Sequence, residues 1–182
     1  MTKNIVILTM AIVQIGIGPH AHAGLGTKMI HKNDLRNLII STLKSVGLHS
    51  DDATELLMGT SAQETHLGQM GLVQRGGGPA LGIFQCERTT ERWLWDFLSR
   101  RADLCERIIS TSGVSGPSEL HLRGNLVYQI LMARVKYLTY PEPLPDSKDI
   151  LGMARYWKKY YNSILGRGKV REFVKNYNRF VR

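Results

Sequence analysis

Apolar residues recur at three- and four-residue steps through most of the chain beyond Asn33, the spacing of helices that each bury one face. Behind Asn33 as a cap come Leu35, Leu38, Ile39, Leu43 and Val46, with Gly47 as the stop. A second helix is predicted from Ser50, Asp51 and Asp52, a capping cluster, through Ala53, Leu56, Leu57 and Ala62 to Gly68. Residues 69–80 contain Gly71, Gly76, Gly77, Gly78 and Pro79, which predicts a loop or small hairpin. Thr89 or Thr90 then caps a helix with Trp93, Leu94, Trp95, Phe97 and Leu98, whose packing spacing assigns these aromatics to the core. A shorter helix runs from Asp103 to Ile109. Ser118 opens the longest predicted helix, with Leu120, Leu126, Val127, Ile130, Leu131, Val135 and Leu138 on one face, and it is expected to cross the middle of the domain. It ends before Pro141, Pro143 and Pro145. Asp146 or Ser147 begins another helix carrying Met153, Tyr156, Trp157 and Tyr160, and Gly166 and Gly168 separate it from a last one.

This pattern predicts a mainly α protein with one small irregular β or loop region, and the chain has no internal repeat, low-complexity tract or second domain. With 182 residues, 43% hydrophobic and 21% charged, it is long enough for one well-buried core over residues 29–182. Residues 1–28 are a separate matter. Lys3, the apolar stretch Ile5–Ile17 and Ala21-His22-Ala23 have the layout of a secretory signal. An upstream extension before a start at Met29, or a weak membrane anchor diluted by Thr9, Gly16 and Gly18, fits the same residues. A secreted or periplasmic location follows if they act as a signal.

The net charge of +9 draws the protein toward polyanions: nucleic acid, anionic lipid or wall polymer. No zinc-finger spacing, P-loop or basic heptad array favours nucleic acid, so none is expected as a partner. Histidines 20, 22, 31, 49, 66 and 121 lack metal-ligand spacing, and neither metal nor cofactor is expected. Cys86 and Cys105 flank the Trp-rich helix and allow one disulfide in an exported protein, whereas a nucleophilic role for Cys86 lacks a partnered base. In the final stretch, Arg171, Lys175, Arg179 and Arg182 fall on one helix side, opposite Val170, Phe173, Val174, Tyr177 and Val181. Docking of the apolar side accounts for this pattern, and the basic side offers contact with anionic membrane or wall polymer.

Candidate chemistry centres on Glu64, a carboxylate in the last turn of the second helix. The negative end of the helix dipole and apolar neighbours both push its pKa upward, as a general acid requires. Glu64-Thr65, then Gly82-Ile83-Phe84-Gln85, then Tyr160-Tyr161-Asn162-Ser163 with Gly168-Lys169-Val170 occur in that order. Together they resemble the Glu-Ser, Gly-Leu-Met-Gln and Ala-Tyr-Asn-Ala-Gly segments of soluble lytic transglycosylases and goose-type lysozymes, over roughly residues 33–182. The resemblance implies a lysozyme-like domain that cleaves the β-1,4 bond between N-acetylmuramic acid and N-acetylglucosamine, works as a monomer without a cofactor, and has peptidoglycan strands as its partner.

It also implies roles. Glu64 is the acid. Thr65 keeps the hydroxyl of the usual serine, Gly82, Ile83, Gln85, Tyr161 and Asn162 hold the sugar or position the acid, and His66 either lines the cleft or satisfies a backbone group. Glu87, just beyond Gln85, stands near where goose-type lysozymes carry an aspartate, and would be a second carboxylate for a hydrolase. Lytic transglycosylases need none, because the substrate's N-acetyl group and 6-hydroxyl close a 1,6-anhydro ring. A lysozyme-fold virion or wall-binding protein without turnover, and a basic helical nucleic-acid binder, are the competing classes.

Overall fold

A computed structural model describes residues 30–74, 76–162 and 166–182; the signal-like segment 1–28 and Ser163 lie outside them. Among the described residues the fold is mainly α: α1 (Lys32–Ser45), α2 (Asp51–Thr65), α3 (Arg88–Ser99), α4 (Ala102–Ser112), α5 (Glu119–Gly124), α6 (Leu126–Leu138), α7 (Ile150–Tyr160) and α8 (Val170–Phe180). Two short antiparallel strands, β1 (Ala80–Leu81) and β2 (Cys86–Glu87), pair Ala80 with Glu87 and Leu81 with Cys86. A bridge from Val73 to Leu81 extends this small sheet into the glycine-rich loop. None of the described helices is long and apolar enough to cross a membrane.

Helix α2 begins where Ser50 accepts from the Ala53 N–H, as the capping cluster predicts. Every residue from Leu56 to Ala62 is buried, so this helix is surrounded rather than amphipathic, and it packs against α1, α6, α7 and α8. Gly59 makes the approach of α8 possible: a Cβ there would overlap the Phe173 ring. Phe173, Tyr177 and Val181 of the C-terminal segment are buried, while Arg171, Lys175, Arg179 and Arg182 are exposed, so the basic side is free of the core.

The long helix expected from Ser118 is two helices. Asn125 breaks the run: its Oδ1 accepts from the Tyr128 N–H and caps α6, and its Nδ2 donates to the Ser112 carbonyl. Leu120, assigned to the apolar face, is 75% exposed on α5. The longest helix is instead α2, with 15 residues. Helix α6 does run between two core clusters, giving Ile130, Ala133 and Tyr137 to one and Tyr128, Leu131, Met132 and Val135 to the other. Other boundaries shift as well, α4 running to Ser112 rather than Ile109. His31, not Asn33, caps α1; α3 starts at Arg88 behind Glu87 rather than at Thr89 or Thr90; and Asp149, accepting from Gly152, opens α7. Cys86 and Cys105 are both free thiols.

Candidate active site

The C-terminal end of α2 meets the turn between β1 and β2, and the meeting is fixed by side chains from three elements. The Thr65 hydroxyl, buried, donates to the Ile83 carbonyl at 2.8 Å and accepts from the Gly68 N–H at 2.9 Å. Gln129 of α6 accepts from the Ile83 N–H at 2.8 Å through Oε1. The Tyr161 hydroxyl donates to the Phe84 carbonyl at 2.8 Å. Within the turn, Gln85 Nε2 donates to the Gly82 carbonyl at 2.9 Å, and the Gly82 N–H donates to Leu72. The turn has left-handed backbone at both ends, φ +75° at Gly82 and +48° at Gln85. At Gly82 a side chain is excluded twice over, since a Cβ would overlap Gln129 Oε1 and the Leu122 carbonyl.

Beside this turn a cavity of about 630 Å³ opens, a size typical of ligand clefts. Glu64, Thr65, Gln85, Glu87, Tyr161 and Asn162 all line it. His66, Gly82 and Ile83 do not. His66 is the left-handed C-cap of α2 and stacks on Phe180 with ring centroids 4.4 Å apart, while Gly82 and Ile83 are buried behind the turn they build. Their contribution is therefore to the frame of the cleft. The cysteine of β2 is buried, and burial pushes its thiol up to about 12, which leaves it protonated.

The proton affinity of Glu64 is strongly displaced. Burial raises its pKa to about 7, against two opposing influences: a 2.9 Å hydrogen bond donated by Trp157 Nε1 to Oε1, and the charge of Lys136. The dominant cause is thus desolvation. A carboxyl poised there can give a proton to a leaving oxygen and, once ionised, take one back. The indole that holds it is itself fully buried on α7, so the carboxyl's direction is fixed from below. Asn162 is fixed too: its Oδ1 accepts from Lys158 Nζ at 2.8 Å and its N–H donates to the Trp157 carbonyl. Glu87 stands exposed at the N-cap position of α3, with no side-chain capping bond, and also lines the cavity.

Of the lining residues that the sequence reading did not assign to the site, three bear on its chemistry. Trp93, assigned there to the core, is 43% exposed on the cavity wall, whereas Trp95 is buried and donates to Tyr128. Tyr140 lines the cavity beside Tyr160, ring centroids 4.2 Å apart. Lys136 is the third; the signal for it was present, a lysine amid the apolar run of α6. Aromatic walls with a few fixed polar groups suit a sugar, whose rings present apolar faces and hydroxyl edges. No family model, curated protein or solved structure matches the chain.

Proposed function

We propose that the protein is a lysozyme-like enzyme that degrades peptidoglycan, cleaving the β-1,4 bond between N-acetylmuramic acid and N-acetylglucosamine as a lytic transglycosylase. The observation that carries this reading is Glu64, a carboxyl raised to about 7 and aimed from a buried indole into an aromatic-walled cleft. Glu64 protonates the glycosidic oxygen as the bond from C1 breaks, and the N-acetyl carbonyl oxygen of the muramoyl residue closes on C1. The resulting Glu64 carboxylate then takes the proton of the C6 hydroxyl, whose oxygen attacks C1, breaks the bond from C1 to the N-acetyl oxygen so that the acetamide is restored, and forms the 1,6-anhydro ring. Atoms balance without water. Gln85, Tyr161 and Asn162 line the path, each held by a hydrogen bond of its own. Such an enzyme works on the wall side of the membrane, reached by export through residues 1–28 or during phage lysis or virion entry.

A hydrolase is the second reading, and the observation favouring it is that Glu87 lines the same cavity and could activate water. The two make different predictions. Glu64→Gln removes the proton and keeps the shape, so clearing of purified cell walls should fall by at least about 10²-fold with an unchanged circular dichroism spectrum. A mutant that clears walls near the parental rate rejects Glu64 as the acid. Glu87→Gln should slow a transglycosylase little; loss as deep as that of the Glu64 variant would favour the hydrolase.

A further inference from the structure

Among the described residues, two carboxyls, Glu64 and Glu87, and one amine, Lys136, line the cleft. Lys136 rises from α6 and its Nζ donates to the Tyr161 carbonyl at 2.8 Å, standing 3.8 Å from the centroid of the Tyr161 ring. Among the described residues no carboxylate comes within 4.0 Å of it. One carbonyl and one ring face leave part of the ammonium's donor capacity unused, because it carries three N–H groups. A half-buried cation with no carboxylate in contact is costly, since Glu64 and Glu87 act on it only at longer range, and a cleft that keeps one gains when a ligand supplies the anion. Glu64 is a poor candidate for that anion, since it must hold its proton to act as the acid. Lys136 stands outside ion-pair distance of Glu64 and is the smaller of the two influences that lower its proton affinity, so burial still prevails.

Resting on the peptidoglycan reading above, we infer that Lys136 pairs with a carboxylate carried by the substrate and makes the cleft select acidic muramoyl glycans over neutral N-acetylglucosamine polymers. The two glycans share their backbone and differ at C3 of alternate sugars, where N-acetylmuramic acid bears a lactyl ether. On a peptide-free strand the carboxylate is that of the lactyl group; where a stem peptide is attached, the lactyl is an amide and the carboxylates belong to the peptide. A lysine suits either, because its point charge accepts a carboxylate from several directions where a guanidinium demands a matched plane.

The test uses Glu64→Gln protein, which binds without cleaving, titrated calorimetrically with three tetrasaccharides: N-acetylglucosamine only, alternating N-acetylglucosamine and N-acetylmuramic acid with free lactyl groups, and the latter with stem peptides. An acidic tetrasaccharide should bind at least about 10-fold more tightly than the neutral one, the scale of one charge-assisted hydrogen bond. Whichever acidic ligand shows the preference identifies the carboxylate. Adding Lys136→Met should bring the ratio toward one, Lys136→Arg should keep much of it, and raised salt should shrink it in the parent. A lysine that served only the ionised form of Glu64 would leave these ratios untouched, because glutamine does not ionise. Equal binding of neutral and acidic ligands, or a preference that survives Lys136→Met in a folded protein, overturns the inference. Failure to bind any of the three overturns the peptidoglycan reading and the inference with it.

Discussion

At the level of single residues, the proton on Glu64 is set by a contest that burial wins and Trp157 and Lys136 moderate. The acid is competent while protonated, so activity should fall as pH rises through about 7. The indole N–H favours the ionised carboxylate, and removing it raises the pKa further. Trp157→Phe should therefore move the alkaline limb of the pH profile to higher pH, measured on soluble glycan fragments. An unmoved limb, in a variant whose fold is retained, would mean that another group sets it. Position in the last turn of α2 and apolar neighbours pointed to Glu64 from sequence alone, and desolvation, one of the two causes expected there, is the largest. Trp157 lies 93 residues further on, and no local pattern announces such a pair.

At the level of elements, the site depends on a turn of four residues closed by Gln85 on the Gly82 carbonyl and held at its centre by side chains from outside it. Each backbone group of Ile83 is taken by a side chain from a distant helix, and the Phe84 carbonyl by Tyr161. Gly82→Ala should cost about 2–4 kcal/mol, from the left-handed backbone and from overlap with Gln129 and Leu122. A chemical denaturation midpoint close to the parent's would show that the turn relaxes. The motif around this turn was noticed through its resemblance, and the backbone supplies the reason for its residue types: glycine at positive φ and a hydroxyl at Thr65. The division of α5 from α6 was not, although Gly124-Asn125 marks it, because the apolar periodicity on either side continues nearly in phase. Likewise Trp93 and Trp95 look equivalent in a sequence window, and only the cleft beside α3 separates a wall residue from a core one.

On the scale of the whole molecule, the mainly α architecture followed from periodicity, whereas the surrounded position of α2, which buries Thr54, Thr60 and Ser61 among its apolar residues, did not. The distribution of charge is a whole-molecule property as well. Arg171, Lys175, Arg179 and Arg182 stand exposed while the other side of the same segment is buried. If this basic side holds anionic wall polymer, replacing the four with glutamine should weaken wall binding at low salt and spare cleavage of short soluble fragments, since screening acts over about 8 Å at physiological salt. Unchanged pelleting with walls would assign the segment a packing role alone.

Glycan cleavage by Glu64 without water is the central claim, and the chemical nature of the new ends tests it most directly. Mass spectrometry of purified peptidoglycan digested by the protein should show muropeptides ending in 1,6-anhydro-muramoyl residues, one water lighter than reducing ends, and none released by Glu64→Gln. Reducing ends would contradict the transglycosylase chemistry, and release of the same fragments by the Glu64→Gln protein would contradict the site itself.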